Sequence, residues 1–345
     1  MLDDPQVAII VQRPTSVEVP WVRFLLGRAA GEVIKDEART IVRPHSVILC
    51  DDLDRLTPDF LNEVRRVGTV GLFHIAQEWY QDPLDAYRSF AFVWRNHYHS
   101  ALAGTAVRQL PLPPAAMQEI TLEPAPEARK PITERRYSWS FAGEMKTTRV
   151  AMLKALKGVA GGHPHITWEK NAPAHAELGP GSYLEMLADS KFVPCSMGNA
   201  HLESFRVYET LEMGAIPIVE RRPWLDYYGD LLGGHPMPTV RSWSEAPGLI
   251  TPLLADDRAL RELQERLVDW WTGTKRALAA QVAQDVASLL ADGPHAPALA
   301  ETPLPSRWRG RMEMLRHHNL PAARQRAMLT ARRLVQHRSF RRQED

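Results

Sequence analysis

The stretch 204–219, SFRVYETLEMGAIPIV, places an arginine and a glutamate three residues apart, Arg206 and Glu209, on a short helix that runs straight into an apolar strand. Phe205, Val207, Tyr208 and Leu211 supply the apolar stripe, Gly214 is placed to stop the helix, and Ile216, Pro217, Ile218 and Val219 read as a buried parallel strand. A surface ion pair at this spacing contributes only about 0.3–0.5 kcal/mol. The other chemistry open to these residues is ligand binding at the mouth of an α/β sheet. In such sheets, ligands lie beyond the C-terminal strand ends, against helix N-termini. The preceding strand, 191–194, runs into Cys195, Ser196, Met197, Gly198 and Asn199, a loop mostly of small residues. That puts Ser204, Phe205 and Arg206 in a first helical turn, where backbone N–H groups and a guanidinium receive phosphate oxygens. Glu209, about 5–6 Å further along the same edge, is placed to accept both hydroxyls of a ribose. The spacing suits a nucleoside diphosphate.

A second piece is 141–149, FAGEMKTTR. It follows a predicted strand and precedes a predicted helix, with Thr147 or Thr148 as N-cap. Gly143 permits a tight turn, and Arg149 in the first helical turn is directed toward the same crevice. The competing reading is a surface loop with a solvated arginine. His97 and His99 lie two apart without a third ligand at helical spacing, which argues against zinc.

The elements that must position these residues alternate between strand and helix. Strands are predicted at 7–11, 46–50 and 70–75, with helical material at 58–66 between the second and third. From 110 to 136 the chain is rich in proline (Pro111, Pro113, Pro114, Pro124, Pro126, Pro131), which predicts a linker or domain crossing. A second α/β half follows: strand 137–143, helix 149–156, a strand near 165–168, helix 183–188, then the strand, helix and strand described above. Residues 260–290 are predicted to be mostly helical, with Trp270 and Trp271 available for packing. The expected division is a Rossmann-like unit at 1–125, a linker at 126–136, a second Rossmann-like unit at 137–305 and a basic helical segment at 306–345.

A chain of 345 residues with 24% charged residues has the composition of a soluble globular protein, and its length fits two domains. Its net charge of +1 gives no reason to expect nucleic acid as the partner. The two cysteines, Cys50 and Cys195, sit in apolar strand-like runs and read as reduced, buried thiols. Met1 to Asp4 opens with acid, without a basic-then-apolar leader, and no apolar run approaches the roughly 20 residues that span a bilayer. A cytoplasmic setting is the expectation.

The sequence resembles the C-terminal half of the exostosin-like glycosyltransferases, family 47 of the glycosyltransferase classification. The resemblance is carried by 190–195 (SKFVPC), Ser204-Phe205-Arg206, Glu209 and 214–219 (GAIPIV). Phe141 and Gly143 followed by Arg149 are similar to that family's opening of the donor domain. Residues 71–75, Glu78 and 92–98 (FVWRNHY) resemble its N-terminal half, near the branch that includes ribitol xylosyltransferases. The likeness covers roughly 70–220. It implies an α/β protein of GT-B architecture, with two Rossmann-like domains facing across a cleft and a C-terminal helix crossing back. It also implies a sugar-nucleotide donor, inverting transfer and no obligatory metal. The chain departs from animal members in lacking a signal anchor and cysteine-rich stem, which points to a bacterial-type cytosolic enzyme of polysaccharide biosynthesis.

On this reading the donor, expected to be a UDP-sugar, is held by Gly143, Arg149, Ser196, Ser204, Phe205, Arg206 and Glu209. The two arginines neutralise the diphosphate in place of a metal. The acceptor, a glycan or polyol-phosphate hydroxyl, lies on the N-terminal half. Its proton goes to a base at the end of strand 70–75: Glu78, with His74 and Asp82 as alternatives. Arg95 orients that base or an anionic acceptor. One alternative is a metal-dependent GT-A transferase using Asp52 and Asp54 after the strand 46–50. Another is a non-catalytic two-lobed nucleotide- or sugar-binding protein. The arginine-rich tail from 307 is read as packing back on the first domain, with peripheral contact to an anionic membrane as a second role.

Overall fold

In the computed structural model, residues 6–13, 17–75, 78–123, 130–168, 176–291 and 297–318 are described. They form two separate, all-parallel sheets. The first contains β1 (Val7–Val11), β2 (Ala30–Lys35), β3 (Ser46–Cys50), β4 (Val70–His74), β5 (Val93–Arg95) and β6 (Arg108–Gln109), in the order β2-β1-β3-β4-β5-β6. The second contains β7 (Tyr137–Glu144), β8 (Gly162–Trp168), β9 (Ser190–Cys195), β10 (Ile216–Glu220) and β11 (Thr239–Val240), in the order β11-β10-β9-β7-β8. Strands β3, β4 and β10 are buried at every position, as their uninterrupted apolar runs require in a parallel sheet covered on both faces.

The helices begin and end where local chemistry dictates. In α2 (Pro58–Val67) the Thr57 hydroxyl accepts from the Phe60 N–H, proline takes the first position, and Gly68 closes the helix with φ +83°. In α5 (Phe205–Glu212) the chain leaves through Met213 and Gly214, whose φ is +60°. α3 (Arg149–Leu156) and α4 (Pro180–Ala188) precede it, and α6 (Tyr227–Leu232) and α7 (Ala246–Leu254) follow. Among the elements absent from the sequence reading are α1 (Val19–Leu26), whose first turn contains a proline, and β2, an edge strand whose Glu32 and Lys35 interrupt any apolar run; β6, β11, α6 and α7 are absent from it too.

The described part of the proline-rich passage packs against the core. Leu110, Leu112, Ile120 and Ile132 are buried along it, and the Lys275 ammonium donates to the Thr121 carbonyl at 2.6 Å. Prolines carry no N–H to satisfy, so such a chain can be buried without regular structure. The return to the first domain begins inside α8 (Asp257–Leu290), well before residue 306. Trp271 of α8 stacks on Trp21 of α1, and Asp285 accepts from the Trp94 indole at 2.8 Å and from Arg108 at 2.9 Å. α9 (Pro297–Glu301) and α10 (Arg307–Arg316) continue along that domain, and 319–345 of the expected basic segment lie outside the described residues.

In the second sheet, β8 lies on one side of β7 and β9 on the other, so strand order reverses between β7 and β9. That switch point opens at the ends of the two strands, beside Gly143 and Ser196.

Candidate functional site

Arg206 and Arg149 converge at this crevice from two different helices. Arg206 donates from Nη2 to the Ala142 carbonyl at 2.6 Å, and Arg149 from Nη1 to the Glu144 carbonyl at 3.1 Å. Both guanidiniums lie over the Phe141 ring, 4.6 and 5.7 Å from its centre. Gly143 stands between them with φ +142°. A Cβ there would lie 3.2 Å from Arg206 Nη2 and 3.4 Å from Arg149 Nη1. Burial, and secondarily the neighbouring Arg206 charge, push the Arg149 guanidinium down to about 10.

Among the described residues, neither arginine forms an ion pair with a carboxylate. Arg149 Nε, Arg206 Nε, Ser196 Oγ and Ser204 Oγ are all buried and without hydrogen-bond partners. Ser204 occupies the N-cap position of α5, yet its hydroxyl caps nothing. Phe205 is half-buried against the core in the first turn. Thr148 is the residue before α3, but its hydroxyl donates to Glu220 instead of capping the helix. Two cations and two hydroxyls thus meet at a sheet switch point with buried polar atoms unsatisfied, a set of donors that an anion would satisfy.

The Arg206–Glu209 ion pair is not formed. Glu209 is buried, with Oε1 accepting from the Ala116 N–H at 2.9 Å and Oε2 from the Tyr183 hydroxyl at 2.8 Å. Burial raises its carboxyl above the usual range, opposed by those two bonds and by Arg206. Each oxygen retains one further acceptor direction.

Across the domain boundary, Glu78 meets the donor-side loop directly. Its Oε1 accepts from Asn199 Nδ2 at 3.2 Å, and its carbonyl contacts the His201 imidazole. The other acceptor-side residues are more enclosed. His74 is fully buried, 2.6 Å from the Tyr87 hydroxyl through Nδ1 and 2.7 Å from Asp82 through Nε2; burial lowers its pKa. Arg95 is 1% exposed, donates to the Asn96 carbonyl at 3.3 Å and lies over the Tyr80 ring. Beside it is a cavity of about 10 Å³, enough for one water, lined by His74, Asp82 and His99 and roofed by Ser306 and Gly310. In this conformation His74 and Arg95 are therefore shielded from any acceptor.

Sequence reading missed the residues that join the two halves. Glu203 accepts from the Leu112 N–H at 3.0 Å and from the Tyr227 and Tyr208 hydroxyls; burial drives its carboxyl up to about 7. The rings of His97, His201 and His317 lie tilted against one another with centres 4.5 and 4.6 Å apart, one from each of three distant chain segments. No local pattern announces such a cluster.

The aspartates of the metal alternative do gather. Oxygens of Asp52, Asp54 and Asp82 lie within 4.8 Å of one another. Each is already engaged: Asp52 accepts from the Asp54 N–H at 3.1 Å, Asp54 meets Arg307, and Asp82 meets His74. Asp52 and Asp54 also lie in the turn that follows β3 of the first sheet, whereas Gly143 belongs to β7 of the second.

No family model matches this chain, and no curated protein does. Solved structures of similar shape include an α1,3-fucosyltransferase at 9% identity and TM-score 0.48, covering 87% of this chain and 93% of that one. The same enzyme type with GDP-fucose gives 11% identity and TM-score 0.47, over 82% and 90%. A spinosyn rhamnosyltransferase complexed with spinosyn aglycone gives 11% and 0.34, over 83% and 99%. The architecture rests on the strand orders and the return helix: two Rossmann-like parallel-sheet domains facing one another, with the chain crossing back onto the first, which is the GT-B arrangement.

Proposed function

We propose that the protein is a glycosyltransferase that moves a sugar from a nucleoside diphosphate, UDP by preference, to a hydroxyl of a glycan or polyol-phosphate, with inversion. One observation carries the reading: two guanidiniums, that of buried Arg149 and that of half-buried Arg206, flank Gly143 at the switch point of the second sheet, each with a buried, unpartnered Nε and without a carboxylate partner among the described residues. A bound diphosphate satisfies both charges and the free hydroxyls of Ser196 and Ser204. The remaining acceptor directions of Glu209 take the ribose hydroxyls. As the acceptor oxygen attacks the anomeric carbon, its proton passes to Glu78. The bond to the phosphate oxygen breaks, and the electron pair leaves with the diphosphate, whose charge the two arginines hold. The exostosin-like motif residues fall at these same positions.

The test is titration calorimetry with UDP. Arg206→Ala is expected to weaken binding by about 2–4 kcal/mol, the loss of a charge-assisted contact to a largely desolvated anion, and Arg149→Ala by less. Unchanged UDP affinity in Arg206→Ala would reject the diphosphate assignment. Tighter binding of GDP or dTDP than of UDP would reject only the base preference.

A further inference from the structure

Helix α10 turns the wrong faces in and out for a helix bathed in water. Its inward residues are Gly310, Glu313 and His317, all buried. A Cβ on Gly310 would lie 2.0 Å from the Tyr80 carbonyl oxygen, so the helix backbone rests directly on that segment. Glu313 accepts from Ser100 N–H at 3.1 Å and from its hydroxyl at 2.7 Å, and His317 Nδ1 accepts from the Leu202 N–H at 3.2 Å. The outward residues are Trp308, 67% exposed, with Met312 and Leu315, each 44% exposed. Spaced i, i+4 and i+7, these three fall within an arc of about 60° on the opposite side of the helix. Trp224, 45% exposed, lies against the end of the same helix, its indole donating to the Arg316 carbonyl at 2.8 Å. Three of the eight exposed large hydrophobic side chains among the described residues thus lie on this one helix and a fourth, Trp224, lies against its end, where isolated ones are the rule.

Arginines border this stripe on both sides, Arg309 and Arg316 on one flank and Arg307 and Arg311 on the other. Arg307 pairs with Asp54 and Arg316 with Glu313, while Arg309 and Arg311 form no ion pair among the described residues. Asp230 is within electrostatic reach of Arg316, so the basic character is strongest over the first two turns. The sequence continues in the same sense: 319–345 contains seven arginines and two acids, Glu344 and Asp345, at the end.

We propose that the outer face of α10, together with Trp224, docks on an anionic lipid surface. A tryptophan-bearing apolar stripe bordered by arginines matches the boundary between acyl chains and headgroups. There the indole and aliphatic side chains enter the apolar layer while guanidiniums meet phosphates and carboxylates. The single sign of the bordering charge favours this occupant over a second copy of the chain, which would present the same arginines.

The test is co-sedimentation of the full chain with vesicles of phosphatidylcholine alone and of phosphatidylcholine with about one-third phosphatidylserine. Binding is expected to the anionic vesicles and not to the neutral ones, and to weaken as salt is raised. Combining Trp308→Ser, Met312→Ser and Leu315→Ser is expected to lower the vesicle-bound to free ratio about tenfold. Arg309→Gln with Arg311→Gln is expected to lower it less. All five side chains are exposed, so thermal midpoint and UDP affinity should match the parent; a variant that loses either is replaced by single substitutions along the stripe. Three results overturn the proposal. One is failure of the parent to sediment with anionic vesicles. Another is equal binding by the triple variant, which would assign the contact to 319–345. The third is self-association without vesicles that the triple variant abolishes, which would make the face a contact between copies.

Discussion

Two guanidiniums held against one glycine are costly to fold unless something negative joins them, because a buried charge without a partner forfeits its hydration. Ala142 and Glu144 carbonyls and the Phe141 ring offset part of that cost for Arg206 and Arg149, and no carboxylate among the described residues completes it. Gly143→Ala should therefore act on the ligand more than on the fold. The added methyl meets Arg206 Nη2 at 3.2 Å and strains a backbone at φ +142°. UDP affinity is expected to fall at least tenfold, about 1.4 kcal/mol, measured by calorimetry on folded protein. On the proposed mechanism Glu78 acts in the chemical step instead. Glu78→Gln should keep UDP affinity and lower kcat by about 10²–10⁴, read from initial rates at saturating donor. Near-normal turnover in that variant would remove Glu78 from the mechanism.

Elements decide how these side chains meet. In α5 the hydroxyl of Ser204, the residue that usually caps, forms no hydrogen bond, and of the first-turn N–H groups Val207 donates to the Ser204 carbonyl at 3.1 Å. α10 works as a staple. It holds Ser100 of the first domain through Glu313 and Leu202 of the second through His317. Gly310→Ala is expected to lift that staple, because the methyl group would collide with the Tyr80 carbonyl, a backbone atom that cannot swing away. A loss of about 1–3 kcal/mol is expected in denaturant titration. Unchanged stability would mean that α10 contributes little to holding the domains together.

At the scale of the molecule, the domain junction makes stability depend on pH in both directions. His97, His99 and His317 are buried, and desolvation holds each below its ordinary value of 6.5, His99 at about 4. Above pH 6.5 neither folded nor unfolded chain protonates them. As pH falls below 6.5, the unfolded chain takes up protons that the folded one refuses. Stability then drops by about 1.4 kcal/mol per pH unit for each histidine. Glu203, raised from 4.5 to about 7, acts oppositely: its contribution is complete below pH 4.5 and is lost as pH rises toward 7. His74 is lowered by burial in the same way, and Glu209 and Glu212 are raised by it as Glu203 is; four histidines then outnumber three carboxylates, so the thermal midpoint should climb from pH 5 to a maximum near 6.5. Glu203→Gln should flatten the decline between 6.5 and 7. A midpoint independent of pH across this range would contradict the burial assigned to these groups. Sugar transfer is also expected to persist in EDTA, since two arginines and a helix N-terminus supply the positive potential. Complete loss in EDTA with rescue by Mn²⁺ would shift the assignment toward Asp52, Asp54 and Asp82.

The strands 7–11, 46–50, 191–194 and 216–219 were legible because buried parallel strands are short unbroken apolar runs, a pattern that any neighbours would leave intact. The placement of Gly143, Arg149, Ser196 and Arg206 at strand ends or first helical turns was legible for a similar reason: those positions are local. β2 and α1 were not, because an edge strand carrying Glu32 and Lys35 and a single short helix gain their stability from contacts far along the chain. Tertiary structure alone decided that Glu209 meets Ala116 and Tyr183 and not Arg206, because 93 and 26 residues separate those partners. It alone brought His97, His201 and His317 into one cluster, and it alone turned Trp308, Met312 and Leu315 outward. Periodicity can show that a helix has two faces; which one is covered depends on what the rest of the chain places against it.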